Sequence, residues 1–189
     1  MHALLATTKA YLDTIPQAAP FLAAWPEAAP TRAAPPSTLP VLTWLADCAD
    51  HTTSETAPLV QALLTTPALA WRQTYSTSDL PSEFLARYGW TELVGQRGPV
   101  PSETIAAGFL LLGPHTHYPS HRHEAEELYI PLAGTADWRR GDAQFAPIPP
   151  GTPIHHPSWL PHAMRTGATP LLAVYLWRGG DLSQKSTIT

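Results

Sequence analysis

The sequence predicts a mainly β protein: an antiparallel barrel or sandwich in its second half, preceded by a helical part. From about residue 100, apolar segments of four to eight residues recur at intervals of about ten, with glycine and proline between them, which is typical of short antiparallel strands. Before that point the apolar residues follow helical spacing instead. We therefore expect two parts, a helical extension over residues 1–99 and the β-barrel, on which it packs, over residues 100–189.

Proline limits the helices of the first part to short pieces. The chain has 22 prolines among 189 residues, about 12% against a typical ~5%, and a proline inside a helix removes a backbone hydrogen bond. The apolar spacing predicts helices over residues 3–15, 21–25, 38–50, 54–64 and 81–88. No chemical signal accompanies them, so we expect a helical layer that covers the sheet.

The second part contains seven predicted strands. Residues 105–112 form an apolar run suited to a buried strand, and residues 127–132 alternate between the two faces. Gly134 and Gly141 then mark turns. The remaining predicted strands are 135–139, 145–148, 153–156, 162–165 and 171–177.

Composition and charge exclude several classes of protein. The net charge is −4 and no block of Lys or Arg occurs, so nucleic acid and anionic membranes are poor partners. The single cysteine, Cys48, cannot form an internal disulfide. No run of about 18 apolar residues is present to span a bilayer, and Lys9 and Asp13 interrupt the short N-terminal apolar stretch, unlike in a signal peptide. We expect a cytoplasmic protein that binds neither nucleic acid nor membrane.

The histidines cluster in the region of predicted strands, and this clustering indicates a site. Seven of the nine lie between His115 and His162. Since alternate side chains of a strand share a face, His121 and His123 can project in the same direction.

A carboxylate and a phenol follow at the same two-residue spacing, at Glu127 and Tyr129. Two imidazoles and one carboxylate on a concave sheet face suit a divalent transition metal. His162 is the natural fourth ligand and His155 its main competitor. Such a site leaves coordination positions for water or substrate, as a catalytic metal requires.

The intervals around these residues are those of the two cupin motifs. The first reads His121-x-His123-x3-Glu127-x6-Gly134, and the second reads Gly151-x5-Pro157-x-Trp159-x2-His162-x3-Thr166. Three positions depart from the pattern: seven residues instead of five separate Gly113 from His121, Trp159 replaces a glycine, and Thr166 replaces an asparagine. The sequence therefore resembles the cupin superfamily. This resemblance implies a double-stranded β-helix (jelly-roll) barrel with metal ligands His121, His123, Glu127 and His162.

Two segments narrow the resemblance to one group of cupins. They read His117-Tyr118-Pro-x-His121-x-His123-x3-Glu127-Leu-Tyr129 and Leu160-Pro-His162-Ala-Met-Arg-Thr166. Both are similar to the small Q-type (DddQ-like) cupin lyases that cleave dimethylsulfoniopropionate (DMSP), as is a length near 190 residues with a helical N-terminal half. The resemblance implies cleavage of DMSP to dimethyl sulfide and acrylate, with the tyrosines at 118 and 129 catalytic.

The residues present can perform this β-elimination. A proton next to the substrate carboxylate must be removed while dimethyl sulfide leaves from the adjacent carbon. A metal on the carboxylate would stabilise the enolate-like charge of the transition state, and a base must lie nearby. Tyr129 is the favoured base because it shares a face with Glu127, beside a metal that would lower its pKa. Tyr118 is the alternative base, or it orients the substrate.

The substrate's sulfonium group is expected to contact aromatic rings, because ring faces attract diffuse cations. The barrel half contains Trp138, Trp159, Tyr175 and Trp177. We take Trp138 and Trp177, together with both catalytic tyrosines, as substrate-binding residues. His117 is expected at the mouth of the site. His115, His155 and His156 match no ligand position of the motifs and are expected to be structural or surface residues.

Several questions stay open from sequence alone. Fe, Mn, Zn, Co and Ni all suit a three-histidine, one-glutamate site. An Fe(II)-dependent cupin dioxygenase is an alternative function, although it has no use for a tyrosine base. A non-catalytic metal-binding cupin is another, although residues 1–99 show neither a helix-turn-helix pattern nor a basic face. A homodimer is also open, since no apolar patch identifies an interface.

Overall fold

The computed structural model describes residues 1–27, 31–32, 35–66 and 69–189, so part of the proline-rich stretch between Pro16 and Pro40 lies outside the described residues. Its helices are α1 (His2–Asp13), α2 (Ala19–Leu22), α3 (Ala57–Leu64) and α4 (Ser82–Ala86). Three 3₁₀ helices cover Pro16–Ala18, Pro40–Trp44 and Ala46–His51. Within the described residues, no helix has the length and apolar character that crossing a bilayer requires.

The segment predicted as one helix over residues 38–50 is helical, but it forms two consecutive 3₁₀ helices instead of one α-helix. Thr43, Trp44, Asp47 and Cys48 are all weak α-helix formers. Tight 3₁₀ turns are common in short connecting pieces, and here they keep Val41 and Cys48 in the core.

Eleven strands form in the described residues. They are β1 (Trp71–Arg72), β2 (Tyr88–Val94), β3 (Ile105–Leu112), β4 (His117–Arg122), β5 (Glu126–Ala133), β6 (Ala136–Arg140), β7 (Ala146–Ile148), β8 (Ile154–His156), β9 (His162–Thr166), β10 (Leu171–Arg178) and β11 (Thr187–Ile188). All pairings between them are antiparallel. The prediction of a mainly β fold with a helical N-terminal part is therefore confirmed.

The strands lie in two sheets that face each other. One sheet has the order β1-β2-β3-β10-β5-β8 and the other has the order β11-β4-β9-β6-β7. Strand β2 pairs with β3 along its length, so the boundary predicted at residue 99 falls between two adjacent strands of one sheet. The sequence pattern did not predict β2, since Gly89 and Glu92 interrupt its apolar character.

Each face of the six-stranded sheet packs against a different partner. Its outer face contributes Phe109, Ile130 and Val174 to a core shared with α1 and α3. Its inner face contributes Tyr129 and Tyr175 to a second core shared with the five-stranded sheet, and that core contains the functional site.

Candidate metal and active site

Strand register brings the polar inner residues of the six-stranded sheet together. Glu127 on β5 lies opposite His156 on β8 and opposite Trp177 on β10, and Tyr129 lies opposite Tyr175. Because residues directly opposite each other in an antiparallel pair point to the same face, all five side chains enter the space between the sheets.

The five-stranded sheet contributes imidazoles from the other side. His121 on β4 lies opposite His162 on β9, and both side chains are buried. The β4–β9 pairing shifts its register between Tyr118 and His121, and such a shift re-aims the side chains next to it. His123 follows directly after β4 and is also buried.

One oxygen of Glu127 is the centre of this cluster. Its Oε2 atom lies 3.1 Å from His123 Nε2, 3.2 Å from His162 Nε2 and 3.5 Å from His156 Nδ1. Potential ligand atoms of His123, Glu127 and His162 all lie within 4.8 Å of one another, and all three residues are buried. This group can hold a metal ion.

The hydrogen bonds of the histidines fit metal ligation. The Nδ1 atoms of His121, His123 and His162 each lie 2.9 Å from a backbone carbonyl oxygen. A carbonyl only accepts, so each Nδ1 carries the proton and each Nε2 presents a lone pair. His162 Nε2 is buried with no hydrogen-bond partner among the described residues. A buried nitrogen of this kind is what a metal would satisfy.

Glu127 is ionised and held in place by its neighbours. Burial by itself would raise the pKa of Glu127, but the His123 imidazole, with His156 and His162 beside it, holds that pKa well below its usual range. Trp177 Nε1 donates a 2.6 Å hydrogen bond to the second oxygen, Oε1. Trp177 also packs its ring 4.2 Å from the ring of His123, so it positions two of the three clustered residues.

The histidines that surround the Glu127 carboxylate are not the same set that the sequence predicts. His121 lies outside the group of three, although its ring is 4.1 Å from that of His162 and its side chain lines the same cavity. His156, expected to be structural or at the surface, is fully buried and stacks on His162 at 4.0 Å. Burial and the neighbouring His162 imidazole lower the pKa of His156 to about 4, so it is neutral near pH 7.

Sequence reasoning missed His156 because its position depends on strand pairing. Alternation along β8 puts His156 and Ile154 on one face and His155 on the other, but only the pairing with β5 shows which face is internal. His155 instead lies 2.6 Å from Glu126 and is partly exposed. It is therefore outside the cluster, and His162 occupies the position for which both were considered.

The two tyrosines lie on the wall of the same cavity. Tyr129 packs its ring 6.5 Å from that of His162, and Tyr118 stacks on His121 at 3.9 Å. The Tyr118 hydroxyl also shares a 3.0 Å hydrogen bond with Tyr75. Burial raises the pKa of both phenols well above the usual value, and the charge of Glu127 raises that of Tyr129 further. Both phenols are therefore neutral unless a cation lies beside them.

Two predicted substrate contacts lie elsewhere. The His117 side chain is exposed and faces Phe145 with the ring centres 6.1 Å apart. Outward alternation along β4 puts it on the opposite face from Tyr118 and His121. Trp138 is buried but packs behind Tyr129 at 5.2 Å rather than on the cavity wall. Trp159 is 44% exposed.

The cavity has a volume of about 230 Å³. It extends from the group His123, Glu127 and His162, called the His–Glu cluster below, to an aromatic wall. Its wall includes Tyr88, Trp90, Glu92, Tyr129, Tyr175 and Trp177. Ala106 lines the same space from β3, opposite Trp177, and its small side chain leaves room for a small ligand beside the cluster.

Comparison with known proteins gives consistent results. The family model of dimethylsulfoniopropionate lyases matches residues 17–173. Dimethylsulfoniopropionate lyase DddQ of Ruegeria pomeroyi is 36% identical over 152 residues, which are 80% of this chain and 75% of that protein. Its crystal structure, at 32% identity, has a TM-score of 0.86 over 100% of this chain and 95% of that one.

Two further structures agree with this similarity. A chain from the crystal structures of DMSP lyases RdDddP and RnDddQII has a TM-score of 0.91 and 31% identity, covering 100% of this chain and 96% of that one. A cupin-2 domain protein from Rhodospirillum rubrum has a TM-score of 0.50 and 17% identity, covering 66% of this chain and 77% of that one. The last similarity concerns the fold alone, which is that of a cupin.

Proposed function

We propose that this chain, which belongs to the dimethylsulfoniopropionate lyase family, cleaves DMSP to dimethyl sulfide and acrylate by a metal-dependent β-elimination. The observation that carries the proposal is the buried group His123, Glu127 and His162, which shares one cavity with two tyrosines. Family membership makes the protein a lyase. The substrate, the metal and the residue roles are the proposal.

His123, Glu127 and His162 would hold the metal, with His121 as a fourth donor from the cavity wall. A divalent ion bound there supplies Lewis-acid stabilisation of charge on the substrate carboxylate and lowers the pKa of an adjacent phenol. Three Nε2 lone pairs and one carboxylate suit Fe, Mn, Zn, Co or Ni. The hydrogen bond from Trp177 and the three backbone carbonyls keep these donors oriented.

Tyr129 is proposed as the base. Its phenolate oxygen takes the proton from the carbon next to the carboxylate, that carbon's electron pair forms the double bond, and the C–S pair leaves with sulfur as neutral dimethyl sulfide. Proton transfer by a positioned side chain contributes about 10²–10⁴-fold to a rate. Tyr118 already shares its hydroxyl with Tyr75 and stacks on His121, so it is better placed to orient the substrate.

Dimethyl sulfide release from purified protein tests the proposal. The protein is given DMSP under anaerobic conditions, with and without a chelator, and headspace gas is measured. We expect release that stops with chelator and returns when a divalent metal is added back. Release without oxygen excludes the dioxygenase alternative.

Two histidine variants complete the experiment. His162→Ala should release no dimethyl sulfide, whereas His117→Ala, which removes an exposed histidine outside the cavity, should behave like the wild type. Metal-loaded wild-type protein that cleaves no DMSP would contradict the proposed function.

A further inference from the structure

Glu92 is a buried carboxylate on the same cavity wall, three strands away from Tyr129. Along one row of the sheet, Glu92 lies opposite Gly108, Gly108 opposite Tyr175, and Tyr175 opposite Tyr129. Residues of such a row point to the same face. Glu92 is 5% exposed and lines the cavity together with the His–Glu cluster.

The chain is shaped to hold this carboxylate. Its Oε1 atom accepts hydrogen bonds from the backbone N–H groups of Arg97 and Gly98. Gly95 has a φ of 137°, and a Cβ there would lie 2.6 Å from Oε1. The turn after β2 therefore wraps closely around one oxygen and fixes the direction of the carboxyl group.

Among the described residues, no basic side chain lies within 4.0 Å of Glu92. The guanidinium of Arg97 donates instead to the carbonyl oxygens of Leu182 and Ser183. Lys185, which also lines the cavity, is paired with Asp79. Arg97 and Lys185, the two cations that line the cavity, thus have partners of their own, and the buried carboxylate has no direct ion pair among the described residues.

Aromatic rings complete the surroundings of Glu92. Tyr88 and Trp90 precede it on β2 at two-residue spacing and line the cavity with it. Tyr175 lines the same cavity as Glu92. A carboxylate among ring faces is the chemistry that binds a diffuse organic cation.

We infer that Glu92 binds the cationic sulfonium end of the substrate, while the substrate carboxylate lies at the His–Glu cluster. This inference rests on the proposed function and deepens it, since it assigns the residue that distinguishes a zwitterion from a carboxylate with an uncharged tail. Burial raises the pKa of Glu92, and the backbone N–H groups with the charges of Arg97 and Arg72 lower it. A bound cation would further favour the ionised form.

A pair of isosteric ligands tests this role by binding alone. 3-(Trimethylammonio)propanoate and 4,4-dimethylpentanoate have the same shape and the same carboxylate. The tail of the first is centred on a cationic nitrogen, and the tail of the second is centred on an uncharged carbon. Their dissociation constants are measured by calorimetry for the metal-loaded wild type and for Glu92→Gln, which keeps an oxygen for the two N–H groups. Glu103→Gln, at an exposed position near the same turn, is the matched control.

The wild type and Glu103→Gln should bind the ligand with the cationic tail at least ~10-fold more tightly than the ligand with the uncharged tail, as expected for a desolvated ion contact worth about 1.4 kcal/mol or more. Glu92→Gln should lose this preference, and it should bind the ligand with the cationic tail more weakly than the wild type does. A preference that is equal in Glu92→Gln and wild type would overturn the inference and leave Glu92 the role of fixing the turn.

The two proposals fail in different ways. Dimethyl sulfide release by wild type, with no preference for the cationic ligand, would overturn the role of Glu92 and leave the lyase function intact. A preference that depends on Glu92, in a protein that cleaves no DMSP, would overturn the proposed function and support cation binding in the cavity.

Discussion

The two faces of strand β5 show how one segment serves stability and chemistry at once. Leu128, Ile130 and Leu132 point outward and are at most 1% exposed, packed with the helical layer. Glu127 and Tyr129 alternate with them and point inward to the cluster. The outer face consists of close-packed hydrocarbon, whereas the inner face is polar, aromatic and incompletely filled.

This difference shows that the inner face, which contains the candidate site, is less closely packed than the outer face and has fewer of its polar groups hydrogen-bonded. His156 and His162 have buried ring nitrogens without hydrogen-bond partners among the described residues, and each unsatisfied group of this kind costs about 1–3 kcal/mol. The small side chain of Ala106 leaves a cavity where a larger side chain would fill the space. The apolar outer face offsets this loss, so substitutions on the two faces should have separable effects.

The largest effect is expected at the ligand cluster. His123→Ala should lose both the metal and detectable turnover, because it removes one of the three imidazoles around Glu127 and one of the proposed metal ligands of the first motif. Metal content is measured by mass spectrometry and turnover by headspace gas. Arg122→Ala, an outward and exposed neighbour, serves as control. Full turnover in a metal-free His123→Ala protein would contradict metal dependence.

The next largest effect is expected at the proposed base. Tyr129→Phe should lower kcat by about 10²–10⁴-fold with metal content unchanged, since it removes the proton acceptor and keeps the ring. Tyr118→Phe should lower kcat less. If Tyr129→Phe retains wild-type kcat and Tyr118→Phe does not, the base is Tyr118.

On the outer face of the same strand, the expected loss is one of stability. Leu128→Ala should lower the free energy of unfolding by about 2–5 kcal/mol, because it leaves a cavity in the core below the helices. Turnover per folded molecule and metal content should stay as in the wild type. Denaturant unfolding measures the free energy, headspace gas measures turnover, and mass spectrometry measures metal content. A loss of metal in this variant would show that the two faces are not separable.

The smallest effect is a pH dependence of stability on the inner face. Because burial raises the pKa of Glu92 above its ordinary value of 4.5, this carboxyl stabilises the fold fully below that value. The contribution is lost as pH rises through the folded-state pKa. Glu92→Gln lacks this loss. The melting temperature of the variant minus that of the wild type should therefore increase as pH rises from about 4.5, and it should become constant above the folded-state pKa.

Thermal melts of both proteins across this pH range measure the effect. Adding the cationic ligand at neutral pH should stabilise the wild type more than the variant. A constant difference in melting temperature at every pH would mean that Glu92 has the same pKa in the folded and unfolded chain.

Much of the barrel was predictable from local pattern. The strand predicted over residues 105–112 coincides with β3, and the later segments lie within one or two residues of β5 to β10. Alternation and turn-forming glycines are properties of neighbouring residues, so a single sequence reveals them. Strands β4 and β2 were harder to predict from the sequence. Pro119 interrupts the apolar pattern of β4, and Glu92 interrupts that of β2.

The sequence by itself determined the candidate donors and their spacing: His123, Glu127 and His162 stand at motif intervals whatever the rest of the chain does. Only the tertiary structure decided that His156 lies beside Glu127, that His117 faces outward and that Glu92 shares a row with Tyr129. The physical reason is that alternation gives the period of a strand but not its partner. Partners are chosen by long-range pairing when the sheets close around their common core.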